Sequence, residues 1–106
     1  MPKYLFYGSY STEGYREMME EGGSSRIEAA KQALSSVGGS LEAFYFSFGE
    51  YDFYIIVDLP DDVITTAITL AGNTSGMFNI HGVSLLTPEE LDEAVKLNVD
   101  FRPPGQ

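Results

Sequence analysis

His81 is the only histidine in the chain, and so the only side chain whose ordinary pKa lies near neutrality. It could act as a general base or a haem ligand, or it could be a half-buried strand histidine bonded to a neighbour. Tyr51-Asp52 places a carboxylate beside a phenol, a pairing suited to proton transfer with Asp52 as the base. The structural alternative is that Gly49 makes a turn, Tyr51 packs at a sheet end and Asp52 bonds backbone or Ser47. Asp58, Asp61 and Asp62 form an acidic group of a kind that can hold a hard cation, although helix N-terminal capping accounts for Asp61 and Asp62. Other chemistries are excluded. With no cysteine there is no disulfide framework, thiolate metal site or cysteine nucleophile, and one histidine cannot complete a structural zinc site. No glycine-rich phosphate loop follows a strand and no serine nucleophile elbow is present, so a Ser-His-Asp arrangement would have to use His81. No metal and no cofactor are expected.

These residues must be held by a small body. A chain of 106 residues is the length of one domain, and area scaling implies that roughly 65% of its surface is buried on folding. Sixteen acidic against six basic residues give −10, which argues against nucleic acid, anionic membranes and polyphosphate ligands. No run approaches the ~20 apolar residues of a membrane span, and Met1-Pro2-Lys3 does not read as a signal peptide. The expectation is a soluble, cytoplasmic, acidic domain over residues 1–106, with 97–106 a loose tail.

Lys3 to Tyr10 is short and aromatic, which predicts a strand. Ser11 offers an N-cap to a short helix over Thr12–Glu21 that carries Tyr15, Met18 and Met19 inward. Ser25-Arg26-Ile27-Glu28 has capping-box spacing. Ile27, Ala30, Ala33, Leu34 and Val37 then recur at helical spacing up to the stop at Gly38-Gly39. Ser40–Phe48 and Tyr51–Leu59 read as strands joined by a two-residue type II′ turn at Gly49-Glu50. That turn pairs Phe48 with Tyr51, Phe46 with Phe53 and Phe44 with Ile55 on one strongly apolar face. On the other it pairs Ser47 with Asp52, Tyr45 with Tyr54, Ala43 with Ile56 and Leu41 with Asp58. Pro60-Asp61-Asp62 starts a helix with the stripe Val63, Ile64, Ala67, Ile68 and Ala71, broken at Gly72–Gly76. Met77–Leu86 is a fourth strand, with Gly82 a potential bulge. Thr87-Pro88-Glu89-Glu90 is a capping box with proline at the first helical position, opening a helix to about Lys96. Its Glu89, Glu90, Asp92 and Glu93 make a solvated face.

The order β-α-β-β-α-β with an added C-terminal helix is that of an α+β, ferredoxin-like domain, with helices over one face of an antiparallel sheet. Alternation turns Tyr4, Phe6, Gly8, Phe44, Phe46, Phe53, Ile55 and Val57 toward the helices. Leu5, Tyr7, Tyr45, Tyr54 and Ile56 then lie on the open face, an aromatic surface larger than a soluble monomer usually leaves in water. A second copy of the same sheet is its expected cover, making a homodimer or a larger assembly of dimers. Three phenols, carboxylates and an imidazole on an interface face suggest a pocket for a small molecule. The expected ligand-binding residues are Tyr7, Tyr45, Asp52, Tyr54 and His81, with Asp52 and His81 as candidates for catalysis. His81 joins only if Gly82 does not reverse its strand.

Phe48-Gly49-Glu50-Tyr51-Asp52-Phe53, running through Ile55-Ile56-Val57 to Pro60-Asp61-Asp62, resembles the GYD domain family of small bacterial and archaeal proteins. So do the opening Tyr4–Thr12 and the closing Thr87-Pro88-Glu89-Glu90-Leu91, and the resemblance covers about Pro2 to Val95. It implies a dimeric α/β-barrel, in which two sheets pack face to face, and it implies no settled activity. Barrels of similar architecture include monooxygenases, isomerases, chlorite dismutases and ligand-sensing domains, an analogy of fold only. The readings are a non-enzymatic oligomeric module binding a small apolar or aromatic molecule between sheets, a cofactor-independent enzyme on such a molecule, and haem binding through His81.

Overall fold

The computed structural model describes all 106 residues. Its elements are β1 (Lys3–Tyr10), α1 (Thr12–Glu21), α2 (Gly23–Ser35), β2 (Ser40–Phe46), β3 (Phe53–Asp58), α3 (Asp62–Thr74), β4 (Phe78–Leu85) and α4 (Pro88–Val95). The sheet is antiparallel in the order β2-β3-β1-β4. This is the ferredoxin-like α+β order with its first helix in two pieces and a helix added at the end. The core is Tyr4, Phe6, Leu34, Val57 and Leu59, with Val37, Leu41, Ile55, Ile64, Ile68 and Ile80 packed on it. Strand alternation and helical spacing therefore meet on one face of the sheet.

Local sequence accounts for most of the boundaries. Ser11 caps α1 by accepting from the Gly14 N–H, and Asp61 caps α3 through Ile64. Thr87 and Glu90 form the reciprocal capping box of α4, with Pro88 opening the helix. The same motif at Ser25–Glu28 is not used. Gly22, at φ +87°, lets the chain turn from α1 directly into α2, which starts at Gly23 without any side-chain cap. Glu28 faces Lys31 instead, 3.5 Å away.

The stripes on α1 and α3 are also corrected. Gly14 is the buried residue of α1, pressed against the Met77 carbonyl, whereas Tyr15 and Met19 are exposed. Only a glycine allows that approach. On α3, Val63 points to solvent and Thr65 is buried, its hydroxyl donating to the Asp61 carbonyl. The helix continues through Gly72 to Thr74 before turning at Gly76, where φ is +77°.

Two departures in the hairpin matter most. Glu42 is an extra residue in β2, because Leu41 pairs with Val57 while Ala43 pairs with Ile56. Leu41 is thereby turned to the core, not opposite Asp58, and Glu42 reaches Lys3 at 2.8 Å; Lys3 also binds Asp58 at 2.9 Å. The expected type II′ turn is absent. The strands stop at Phe46 and resume at Phe53, and Gly49 does not take the positive φ such a turn requires. Ser47 N–H still donates to the Asp52 carbonyl at 2.8 Å, but the six residues between the strands form a loop with Phe48 fully in water.

No bulge occurs in β4, which pairs with β1 without a shift from Lys3–Leu85 to Tyr10–Phe78. Gly82 instead makes room for the Phe6 ring, 3.0 Å from where a Cβ would sit. The outer side of β4 is met by Asn73, whose carboxamide accepts from Ile80 N–H at 2.6 Å and donates to Ile80 C=O at 3.2 Å.

Candidate functional site

The continuous registers place side chains in rows across the bare face. Tyr45, Tyr54, Tyr7 and His81 lie opposite one another in sequence across all four strands. Behind them runs an apolar row of Ala43, Ile56, Leu5 and Val83. Each row follows from the two-residue period of the strands, since one residue of slip would send the whole set to the helices.

The aromatic row is packed as rings. Tyr7 stacks between Tyr54 at 6.4 Å and His81 at 5.3 Å, with interplanar angles of 20° and 27°. Tyr51 stands nearly at right angles to this stack, 4.8 Å from Tyr7, 6.4 Å from Tyr54 and 6.0 Å from His81. Offset stacks and edge contacts at these separations are the favoured aromatic geometries. Burial, reinforced by Glu50 and the neighbouring phenols, raises the Tyr51 pKa above its ordinary value. Its hydroxyl is accordingly a proton donor at neutral pH and not a phenolate base.

Of the expected site residues, Tyr7, Tyr54 and His81 come together and Tyr45 continues their row at the outer strand, 72% exposed. Asp52 does not join them. Its carboxylate accepts from Tyr10 N–H at 2.9 Å and from the Tyr15 hydroxyl at 2.6 Å, and its own N–H donates to Gly8 C=O. It ties β1 to α1. The neighbouring Tyr51 takes the place on the open face, the reverse of the expected assignment. The cause is the loop: with six residues between strands, strict alternation ends at Phe53, and the β1 end draws Asp52 in. A loop longer than two residues was the only signal that could have released Tyr51 from the helix face.

Asp58, Asp61 and Asp62 do not converge on a cation. Asp58 pairs with Lys3, Asp61 caps α3, and Asp62 accepts from the Tyr4 hydroxyl at 2.6 Å. No group of three or more acidic or histidine side chains is arranged to hold a metal.

A second space lies on the helix side of the sheet. Between α2 and α3 is an apolar cavity of about 420 Å³, floored by Phe6, Phe53 and Ile55 and walled by Ala30, Ala33 and Ala67. The alanine stripes that mark these helices as sheet-facing are too short to close the gap between them. The signal was present in residue size, not in periodicity.

No helix is long and apolar enough to cross a membrane. No curated protein and no solved structure matches the chain. The model of the GYD domain family matches residues 4–95, spanning every element from β1 to α4, and the chain belongs to that family.

Proposed function

We propose that the protein is an oligomeric binding module that holds a compact apolar or aromatic molecule against the ring cluster of the bare sheet face, with the sheet of a second copy as the cover. The observation that carries this reading is the stack of Tyr54, Tyr7 and His81 with Tyr51 across it. None of these rings belongs to the hydrophobic core cluster or packs against it. Flat π-faces suit a flat ligand or a cation, and the hydroxyls and imidazole at the rim supply orienting hydrogen bonds. In this reading the chain works as one domain in the cytoplasm, binds no nucleic acid and uses no cofactor.

Native mass spectrometry of purified protein, followed by titration with simple aromatic compounds read by tyrosine fluorescence, tests it. Binding that is lost in Tyr7→Ala and kept in Ala67→Leu supports the sheet-face site. The reverse pattern assigns the ligand to the cavity between α2 and α3, which is the second reading and rests on that cavity's size and apolar lining. Catalysis by the same cluster would use Tyr51 as the acid and His81 as the base. A haem titration without a Soret band removes the haem alternative.

A further inference from the structure

We infer that the C-terminal arm, Leu86 to Phe101, is built to pack on a second copy of the chain. All residues from Pro88 onward are exposed. Every other element packs on a neighbour, while α4 has no comparable one, and the molecule is 56 Å long but only 22 Å thick. Leu86, Leu91, Val95, Leu97, Val99 and Phe101 are between 55% and 74% exposed.

Two physical arguments make this arm an interface. Isolated helices shorter than ~12–15 residues are marginal in water, and α4 has eight. Its capping box and Pro88 define where it starts, but packing must supply the rest of its stability. The six apolar side chains also leave on the order of 700 Å² in water, near the ~800 Å² that each partner brings to a stable interface.

A second copy is the occupant because this chain presents two unpartnered apolar surfaces, the arm and the bare sheet face. A two-fold axis satisfies both at once, sheet against sheet and, beside it, arm against arm. The inference rests on the sheet-pairing reading only in taking a second copy as partner.

The test is a photo-crosslinking residue placed at Leu97 in the full chain, with and without Tyr54→Asp. The expected product runs at twice 11.7 kDa and disappears when Leu91→Asp is added, which raises the dimer dissociation constant roughly a hundredfold. Product that persists in Tyr54→Asp upholds the arm as an interface in its own right; product lost in Tyr54→Asp alone overturns the arm and leaves the paired sheets. A dimer by light scattering with no crosslink, or only an intrachain one, overturns the arm and leaves the sheets. A monomer at every accessible concentration overturns both.

Discussion

The centre of the covered face and the bare face of the sheet treat their aromatic rings in opposite ways. Toward the helices, Tyr4, Phe6 and Phe53 are at most 4% exposed, and the Tyr4 hydroxyl is closed off by Asp62. Across the sheet, Tyr45 is 72% and Tyr54 39% exposed, and no carboxylate ties either hydroxyl. Burying a phenol is stable when its polar end is satisfied. The covered face meets that condition within one chain. On the bare face no carboxylate holds the Tyr45 or Tyr54 hydroxyl, so in the proposed reading that face is organised for association and the covered one for stability.

Substitutions on adjacent residues of β3 separate the two most sharply. Phe53→Asp, 2% exposed in the wild type, buries an unpaired charge and costs about 4 kcal/mol or more, which abolishes the unfolding transition in urea. Tyr54→Asp on the other face retains the circular-dichroism spectrum and the transition, and lowers the mass seen in light scattering. Equal damage from both would break the distinction. Next in size is Gly8→Ala. An added Cβ there meets the Asn79 backbone carbonyl, and strand and carbonyl must move apart at a cost of roughly 1–3 kcal/mol, read as a shifted urea midpoint. Smaller again is Tyr4→Phe, which leaves Asp62 without its donor and lowers the melting temperature by several degrees, whereas Tyr54→Phe changes it little.

The smallest effect is one of pH. Hydrogen bonds from Tyr4 to Asp62 and from Tyr15 to Asp52 raise both phenols above the ordinary value of 10.0. A raised folded-state pKa contributes stability that is complete below the unfolded value and is lost as pH rises through the folded one. Alkaline unfolding is therefore expected to begin above pH 10, and Tyr4→Phe with Tyr15→Phe flattens the slope of stability against pH there. A slope unchanged by the double substitution would show that the carboxylate contacts do not act in this way.

How far the sequence reached follows from which rules are local. Alternation in β1 and in the paired parts of β2 and β3 assigned Tyr7, Tyr45 and Tyr54 correctly, because a strand's facing is a parity that every residue repeats. It failed within the loop at Tyr51 and Asp52, where no ladder enforces parity and Tyr15, far away in sequence, fixes the outcome. The capping motifs make the same point. Thr87–Glu90 follows a strand and must start a helix unaided, whereas Ser25–Glu28 follows a glycine that already carries one helix into the next. The cavity between α2 and α3 depends on a distance between elements, and periodicity carries no information about that.

The Asn73 carboxamide bears on how the sheet's edges behave. An edge strand offers free N–H and C=O groups to any passing chain and is where fibres start. On β4 those groups at Ile80 are already taken by a side chain acting as a one-residue false strand, and on β2 the extra residue Glu42 breaks the opposite margin. Both margins thus carry a feature that hinders the sideways addition of a further strand. In the proposed dimer, copies would meet through the face and the arm, and a two-fold meeting there closes on itself, so growth would end in a finite particle and not in a filament.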